Sequence, residues 1–519
     1  MVNRDIFGLN AVQRQSLVIS LTAFFTSLLL IALVSVLILI SFRGTAYFWP
    51  EPIYKVTGTL PDGSRFSVLA NIFEDASEED ITLKYSDVNH PFGFQKQFDR
   101  EQLLSANLAL DSAEIKLLDG RRVMAIPEHI VVPSKPPQPL DNIGAVLQDV
   151  ALITAQIEDL NTEHLAPIHE ALSQFDKRDV VEDAPAREKL VAAFNEYQKR
   201  VEALESTRAQ YRLLVSFADG SPFIIPISSI QDVDFVSRLT TFEKWQVVFS
   251  EISVFLSDSP KQANTSGGVF PALFGTILMV FLMTIIVTPF GVLAAIYLSE
   301  YAPNTALTTI IRVSVSNMAG VPSIVYGVFG LGFFVYTLGG SIDELLFSDT
   351  LPAPTMGSPG VFWAALTMAV LTLPVVIVAT EEGLRRVPDG LKAGSYALGA
   401  TKIETIIRTV LPIASPGIMT GVILAIARAA GEVAPLMLVG AVKFAPTLPI
   451  DGEFPYLHLD RQFMHLGVLI YDGAFHSQTD GKSASMMFAA CLLLLIVVFV
   501  LNILAVLLRA RLRKRYLKG

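Results

Sequence analysis

The sequence predicts a polytopic α-helical membrane protein with six transmembrane helices and an external α+β insertion between the first and second helices. Its mean hydropathy of +0.50 and hydrophobic content of 52% are high for a soluble protein. Six apolar stretches are long enough to cross a bilayer. The segment between the first two is soluble in character and carries 34 of the 49 acidic residues.

The apolar stretches lie at about 17–42, 269–298, 313–339, 360–380, 414–441 and 484–508. The first is much longer than the apolar region of a signal peptide and has no small-residue cleavage site. We therefore expect residues 1–43 to form a cytoplasmic N-terminus, with Arg4 and Arg14, and a retained transmembrane helix.

Basic residues predict the orientation of the helices. The loop 381–413 contains Arg385, Arg386 and Lys392 among its bases, and the chain ends in RARLRKRYLKG. Under the positive-inside rule, this loop and both termini are cytoplasmic, and the acidic segment 44–265 is external. Its negative charge argues against nucleic acid as a partner. The lone Cys491 cannot form a disulfide within the chain.

The external segment combines two structural patterns. Asp62-Gly63, Asp119-Gly120 and Asp219-Gly220 lie between β-branched apolar runs, which is typical of β-hairpins. Between the last two, apolar residues recur at heptad spacing on both sides of a polar linker, which predicts an antiparallel helical hairpin at about 141–211. This segment has no metal-ligand or nucleophile pattern, so we expect a stalk or docking platform.

The loop 381–413 is typical of two short helices joined at Gly399. We expect Asp389 to cap the first helix, and Thr401 with Glu404 to form a capping box for the second. Three apolar residues of the second helix are expected to share one face, and Leu411-Pro412 to end it. The residues on that face are Ile403, Ile407 and Val410.

This loop resembles the cytoplasmic coupling loop of ABC importer permeases. Ala393-Gly394-Ser395 stand where that family has Glu-Ala-Ala, Gly399 matches its glycine, and Leu411-Pro412 match its end. Thr409 replaces the family's isoleucine. GVPSIVYGVFG (320–330) and ARAAGEVAPL (427–436) resemble the phosphate-specific permeases, PstA type. The likeness covers about 266–510 and implies that residues 266–519 are a permease core with five helices.

The resemblance implies a permease subunit of an ATP-driven importer that moves inorganic phosphate across the bacterial inner membrane. Its expected partners are a second permease subunit, an ATPase dimer, a periplasmic phosphate-binding protein, phosphate and the lipid bilayer. ATP and Mg would be bound by the ATPase subunit, with no cofactor, metal or catalytic residue in this chain. DGKS at 480–483 is no phosphate-binding loop, because His476 stands where the first glycine is needed.

Arg428 and Glu432 are expected near the centre of the fifth helix, on one face. They form either a structural ion pair or, as in related phosphate permeases, part of the substrate path. Pro435 is expected to let that helix bend. Small residues of the third helix indicate either close helix packing or a kink beside the path. Those residues are Gly320, Pro322 and Gly327.

Two alternatives remain open. One keeps the class but changes the subunit or anion, to the partner phosphate permease or a permease for molybdate or sulfate. The other is a membrane sensor with a periplasmic domain. No expected cytoplasmic segment exceeds about 35 residues, which is too short for a signalling kinase or cyclase domain.

Overall fold

A computed structural model describes residues 11–60, 63–74, 80–133, 136–178, 184–261, 266–476 and 481–517. Arg4, Asp62 and Asp480 of the patterns above therefore lie outside the described residues. The chain divides into two compact units. Met1–Phe48 and Ser253–Gly519 form a helical unit, and Trp49–Ile252 form a mixed unit.

The first helix, α1 (Ala11–Ala46), contains the apolar segment Gln15–Ala46, whose most apolar window is not buried within the chain. A long helix that is apolar on all sides is suited to lipid rather than to water.

The mixed unit contains two antiparallel sheets among its described residues. The first has the strand order β4-β3-β2-β1-β5, with β1 (Tyr54–Thr59), β2 (Arg65–Glu74), β3 (Asp80–Ser86), β4 (Phe94–Asp99) and β5 (Leu103–Leu108). The second has the order β10-β6-β7-β8-β9, with β6 (Ala113–Leu117), β7 (Arg122–Val131), β8 (Arg212–Ser216), β9 (Pro222–Pro226) and β10 (Ile230–Asp234).

The three predicted hairpins are confirmed as β1–β2, β6–β7 and β8–β9. Their glycines, Gly63, Gly120 and Gly220, have φ of 83°, 88° and 84°. Glycine adopts this left-handed conformation without the steric penalty of a Cβ.

The helical arm is inserted between β7 and β8, which pair directly with each other. It consists of α2 (Ile143–Asp159), a π-type turn at Leu160–Leu165, α3 (Ala166–Arg178) and the returning α4 (Ala184–Arg208). Val146 and Val150 pack into the core of the second sheet, and His164 stacks on Tyr197 with ring centroids 4.4 Å apart. The arm therefore has a fixed base on the sheet.

The remaining helices begin with α5 (Thr241–Ser257), which runs from the mixed unit into the helical unit. Two short strands, β11 (Pro260–Lys261) and β12 (Ser266–Gly267), follow. The helical unit continues with α6 (Phe270–Ile296), α7 (Ala306–Met318), α8 (Ser323–Phe329), α9 (Gly340–Leu346), α10 (Val361–Arg385), α11 (Asp389–Ala397), α12 (Lys402–Thr405), α13 (Leu411–Gly431), α14 (Ala434–Val439), β13 (Ala441–Val442), β14 (Phe463–Met464), α15 (Leu466–His476) and α16 (Gly481–Leu517).

Among the described residues, six helical segments are long and apolar enough to cross a membrane, as predicted. Three include π-type turns: at Tyr297–Tyr301 after α6, at Gly330–Gly339 between α8 and α9, and at Ile406–Val410 between α12 and α13. At the centre, α10 packs against α6 and α13. Gly383 and Gly417 let α10 and α13 touch, since a Cβ on Gly417 would lie 2.5 Å from the Cα of Gly383.

The third crossing was predicted at 313–339 but lies at Ser323–Leu346, after the separate helix α7. Pro322 explains the break, because proline donates no N–H and disfavours helical backbone in the residue before it. The fifth crossing was predicted at 414–441 but runs over Lys402–Gly431.

Three expectations for the loop 381–413 were wrong. Pro388 holds the cap position of α11, and Asp389 is its first helical residue. Pro412 does not end the second helix, because the π-type turn before it relieves the clash of its ring with the preceding turn. That wider turn also moves Val410 to a different face of the helix from Ile403 and Ile407. Val410 is buried, while Ile403 and Ile407 are 62% and 58% exposed.

Candidate functional site

The predicted ion pair lies at a break in the fifth crossing. Helix α13 ends at Gly431, Glu432 has extended backbone angles, and α14 begins at Ala434. Pro435 explains the position of the break, because a proline clashes with the carbonyl four residues earlier, which here belongs to Gly431. Arg428 therefore lies in the last turn of α13 and Glu432 beyond its end. The expectation of one helix with both residues near its centre, bent by Pro435, was wrong.

The two side chains nevertheless meet across the break. Arg428 Nε lies 3.4 Å from Glu432 Oε1, and the side chains are 28% and 23% exposed. Among the described residues, Glu432 is the only carboxylate within ion-pair distance of Arg428. The guanidinium is therefore held at one nitrogen while part of its surface stays accessible.

The third crossing packs directly against this break. A Cβ on Gly327 would lie 2.7 Å from the Cα of Pro435, so only glycine allows α8 and α14 to approach so closely. Close packing thus accounts for Gly327. Gly320 and Pro322 lie instead in the turn between α7 and α8, where a Cβ on Gly320 would meet only Asn317 O, at 3.4 Å.

Tyr326 is a residue of this region that the sequence patterns did not single out. It is 7% exposed, and its hydroxyl donates to Met318 O at 2.8 Å, bridging the turn that contains Gly320 and Pro322. The only signal in the sequence was its place within GVPSIVYGVFG, one residue before Gly327.

The start of α15 also contacts the break. A Cβ on Gly467 would lie 2.5 Å from Val433 Cγ2. His465, two residues earlier, is fully buried, and its Nδ1 accepts a hydrogen bond from Gly467 N at 3.1 Å. The break is therefore packed against two neighbouring segments and is not a frayed helix end.

The predicted coupling loop is two helices joined by a tight turn. Gly399 has φ 86°, and the capping box is confirmed: Glu404 N donates to Thr401 Oγ1, and Thr401 N donates to Glu404 Oε2. Ser395 Oγ lies 2.9 Å from Thr405 Oγ1, which joins α11 to α12. Ala393 and Gly394 are exposed on α11. Leu411 and Pro412 lie within the continuous helix that follows.

Large apolar side chains are exposed on this loop. Leu398 is 90% exposed, and Leu391 and Tyr396 are 48% and 43% exposed, beside the exposed Ile403 and Ile407. A cluster of exposed apolar side chains between charged residues is typical of a surface that binds another protein.

An ion pair connects the loop to the end of the second crossing. Lys392 Nζ lies 2.6 Å from Glu300 Oε1, with the two side chains 19% and 10% exposed. Lys402 Nζ donates to Glu300 O and lies 4.4 Å from the centroid of the Tyr301 ring. We call Glu300, Lys392 and Lys402 the ionic strap.

A second connection joins Arg312 of α7 to the end of α10. Arg312 Nε lies 3.4 Å from Glu381 Oε1, and Arg312 Nη2 donates to Leu298 O. In the sequence, the basic residues of the loop indicated topology only, and no pattern identified Glu300 or Glu381 as ion-pair partners. Within the described residues, no cluster of His, Cys, Asp and Glu is suited to a metal ion.

Comparison with known proteins identifies the family to which this chain is related. Residues 287–514 match the family model described as "Binding-protein-dependent transport system inner membrane component". The chain is 35% identical over 244 residues to "Phosphate transport system permease protein PstA 1" of Mycobacterium tuberculosis (strain CDC 1551 / Oshkosh), covering 47% of this chain and 71% of that protein.

Two proteins named "Phosphate transport system permease protein PstA" are similarly related. The Yersinia pestis protein is 33% identical over 255 residues, covering 49% of this chain and 76% of its own length. The Haemophilus influenzae (strain ATCC 51907 / DSM 11121 / KW20 / Rd) protein is 32% identical over 253 residues, covering 49% and 79%. The family model leaves residues 1–286 unmatched.

Proposed function

Because the chain belongs to the family of binding-protein-dependent transport system inner membrane components, we propose that it is the permease subunit of an ATP-driven importer for inorganic phosphate. The names of its relatives support phosphate as the substrate. The observation that carries the proposal is the Arg428–Glu432 pair at the break between α13 and α14.

The chemistry of this pair suits the transport of an anion. A guanidinium remains charged at any physiological pH and offers paired N–H donors to phosphate oxygens. A buried Arg without a partner would be costly, and an Arg that binds phosphate without competition would release it slowly. Glu432 occupies one side of the guanidinium and competes with the anion, so the charge on Arg428 stays compensated before and after transport.

Partner subunits would supply the energy. We propose that the exposed apolar surface of the loop 381–413 binds an ATPase subunit that holds ATP and Mg. A second permease subunit, a second ATPase subunit and a periplasmic phosphate-binding protein would complete the importer. In this arrangement both termini are cytoplasmic, the membrane is the bacterial inner membrane, and residues 44–265 form a periplasmic domain.

The test is phosphate uptake by the purified importer in proteoliposomes, with ATP inside and the binding protein outside. Arg428→Gln should reduce uptake roughly a hundredfold or more, since two charge-assisted hydrogen bonds of about 1.5 kcal/mol each are lost. Arg428→Lys should recover little, because an ammonium lacks the planar fork of donors. Glu432→Gln should have a smaller effect.

A matched control uses an exposed Arg–Glu pair on the arm. Arg200 Nη2 lies 2.6 Å from Glu196 Oε1, four residues away, and Arg200→Gln should leave uptake unchanged. Competition by molybdate and sulfate identifies the anion. Uptake at the native level in Arg428→Gln would place the path elsewhere and leave the pair as a structural bridge.

A further inference from the structure

Four aromatic side chains form an exposed cluster at the start of α5, which we call the aromatic foot. It consists of Trp49, Phe242, Trp245 and Phe249, which are 40%, 72%, 49% and 67% exposed. The rings of Trp49 and Trp245 meet edge to face with centroids 5.5 Å apart, and Trp245 and Phe249 are 6.2 Å apart. The three residues of α5 are three and four positions apart and so share one face of the helix.

Other faces of α5 are fixed by the mixed unit. Val248 is 6% exposed, and Glu251 pairs with Lys116 and lies 4.0 Å from Arg122 Nη2. Lys116 also pairs with Asp234 at 2.8 Å. These half-buried contacts set the rotation of α5, so the aromatic foot is held outward as a preformed surface.

Helix α5 and Trp49 lie close along the chain to the ends of two membrane crossings, α1 and α6. Trp49 follows Ala46, the last residue of α1, by three positions, and three residues span at most about 11 Å. At its other end, α5 meets the start of α6, because Val269 N donates to Phe255 O at 2.8 Å. Phe255 also contacts the ring of Phe48, with centroids 5.2 Å apart.

Of two consecutive crossings, the first ends and the second begins on the same side of the membrane. The connections of α5 to the end of α1 and to the start of α6 therefore lie at one membrane surface. Tryptophan and phenylalanine on one face of an amphipathic helix are typical of the zone between lipid headgroups and acyl chains. We propose that the aromatic foot is a lipid-binding surface that inserts into this zone of the outer leaflet. It would hold α5, and through α5 the start of α6, against the bilayer.

The three tryptophans of the chain allow a direct test. In the full-length protein with Trp49→Phe and Trp363→Phe, Trp245 is the only tryptophan of this chain. Its signal is the difference from the same complex with Trp245→Phe added. The assembled importer is placed in nanodiscs whose lipids carry bromine near either the headgroup end or the methyl end of the acyl chain. Bromine near the headgroup should quench Trp245 more strongly than bromine near the methyl end, and acrylamide in the water should quench it weakly.

The matched control retains Trp363, which is 2% exposed within the helical unit. With Trp49→Phe and Trp245→Phe, the preference for bromine near the headgroup should be lost. Strong quenching of Trp245 by acrylamide without quenching by lipid bromine would overturn the proposal. Protection from both quenchers would also overturn it, because another subunit would then cover the foot.

A second readout covers the case in which the double tryptophan variants do not fold. Phe242→Cys, labelled with a nitroxide after Cys491→Ala, should be relaxed by oxygen from the lipid more than by a water-soluble nickel complex. The reverse order would show that Phe242 faces water. This test is independent of phosphate transport, so its failure would leave the proposed function untouched.

Discussion

Reversing the charge of Glu300 is expected to uncouple ATP hydrolysis from phosphate uptake. The ionic strap is a contact between the side chains of the loop and the end of the second crossing: Lys392 of α11 pairs with Glu300, 92 residues away in sequence. The Glu300→Lys variant would place two cations at a contact now 2.6 Å long. A loop that moves with an ATPase subunit would then no longer move α6.

The magnitude follows from the exposure of the pair. Exposed ion pairs contribute about 0–1 kcal/mol, whereas breaking a buried pair costs about 3–5 kcal/mol. With side chains 10% and 19% exposed, the strap lies between these limits, at about 1–3 kcal/mol. That is roughly a 5- to 150-fold change in the equilibrium between attached and detached loop.

The assay measures ATP hydrolysis and phosphate uptake of the reconstituted importer, with and without binding protein. Glu300→Lys and Lys392→Glu should each lower uptake and weaken the stimulation of hydrolysis by the binding protein. The exchanged pair, with both substitutions, should recover most of both. Arg386 and Glu382, exposed by 75% and 65%, provide a matched pair whose exchange should have no effect. Normal coupling of hydrolysis to uptake in the single variants, or no recovery in the variant with the exchanged pair, would refute the role of the ionic strap in coupling.

Three further predictions concern the loop and the external arm. Gly399→Ala should destabilise the loop by about 1–2 kcal/mol and lower ATPase-coupled uptake, because the φ of 86° at Gly399 is unfavourable for a residue with a Cβ. A steric clash is not the cause, since a Cβ at Gly399 would meet nothing within 4 Å. Gly394 has the same free space around it but lies in helix α11, so Gly394→Ala should be neutral. After removal of the natural cysteine, Leu152→Cys should be labelled by an impermeant maleimide on intact cells and Leu398→Cys only after lysis, and the reverse would invert the topology. Replacing the arm at 141–211 by a Gly-Ser linker should preserve insertion of the crossings and reduce binding-protein affinity in surface plasmon resonance, and unchanged affinity would exclude a docking role.

Signals that are local in sequence predicted their structures well. The three Asp-Gly steps needed only the turn residues and their flanking runs, and the capping box needed only Thr401 and Glu404. The six crossings followed from hydropathy, because an apolar segment of sufficient length has few alternatives to a bilayer.

The ends of the crossings were predicted less well, because prolines had opposite outcomes in different contexts. Pro435 ends helix α13 at Gly431, four residues earlier, whereas the helix continues through Pro412. Before Pro412, a π-type turn makes room for the ring. A single sequence does not indicate where such a turn will form, because its cost is offset by packing such as the burial of Ile406 and Val410.

Contacts between residues that are distant in sequence left no periodic pattern in the sequence. Glu300 and Glu381 looked like ordinary charges at the ends of apolar stretches, and only the fold places them beside Lys392 and Arg312. The contact between Gly327 and Pro435 likewise depends on how α8 packs against α14.

The continuous segment Lys402–Gly431 joins the two predicted functional regions through one element. It begins directly after Thr401 of the capping box and has Arg428 in its last turn, 26 residues after Lys402, or about 39 Å along a helix. A helix of this length transmits displacement along its axis, but the break at Glu432 ends this transmission. Movement of the loop would therefore shift Arg428 relative to Glu432, which belongs to the segment packed against Gly327 through Pro435. We infer that the break lets one motion change the ion pair, because its two partners lie on opposite sides of the point where the rigid helix ends.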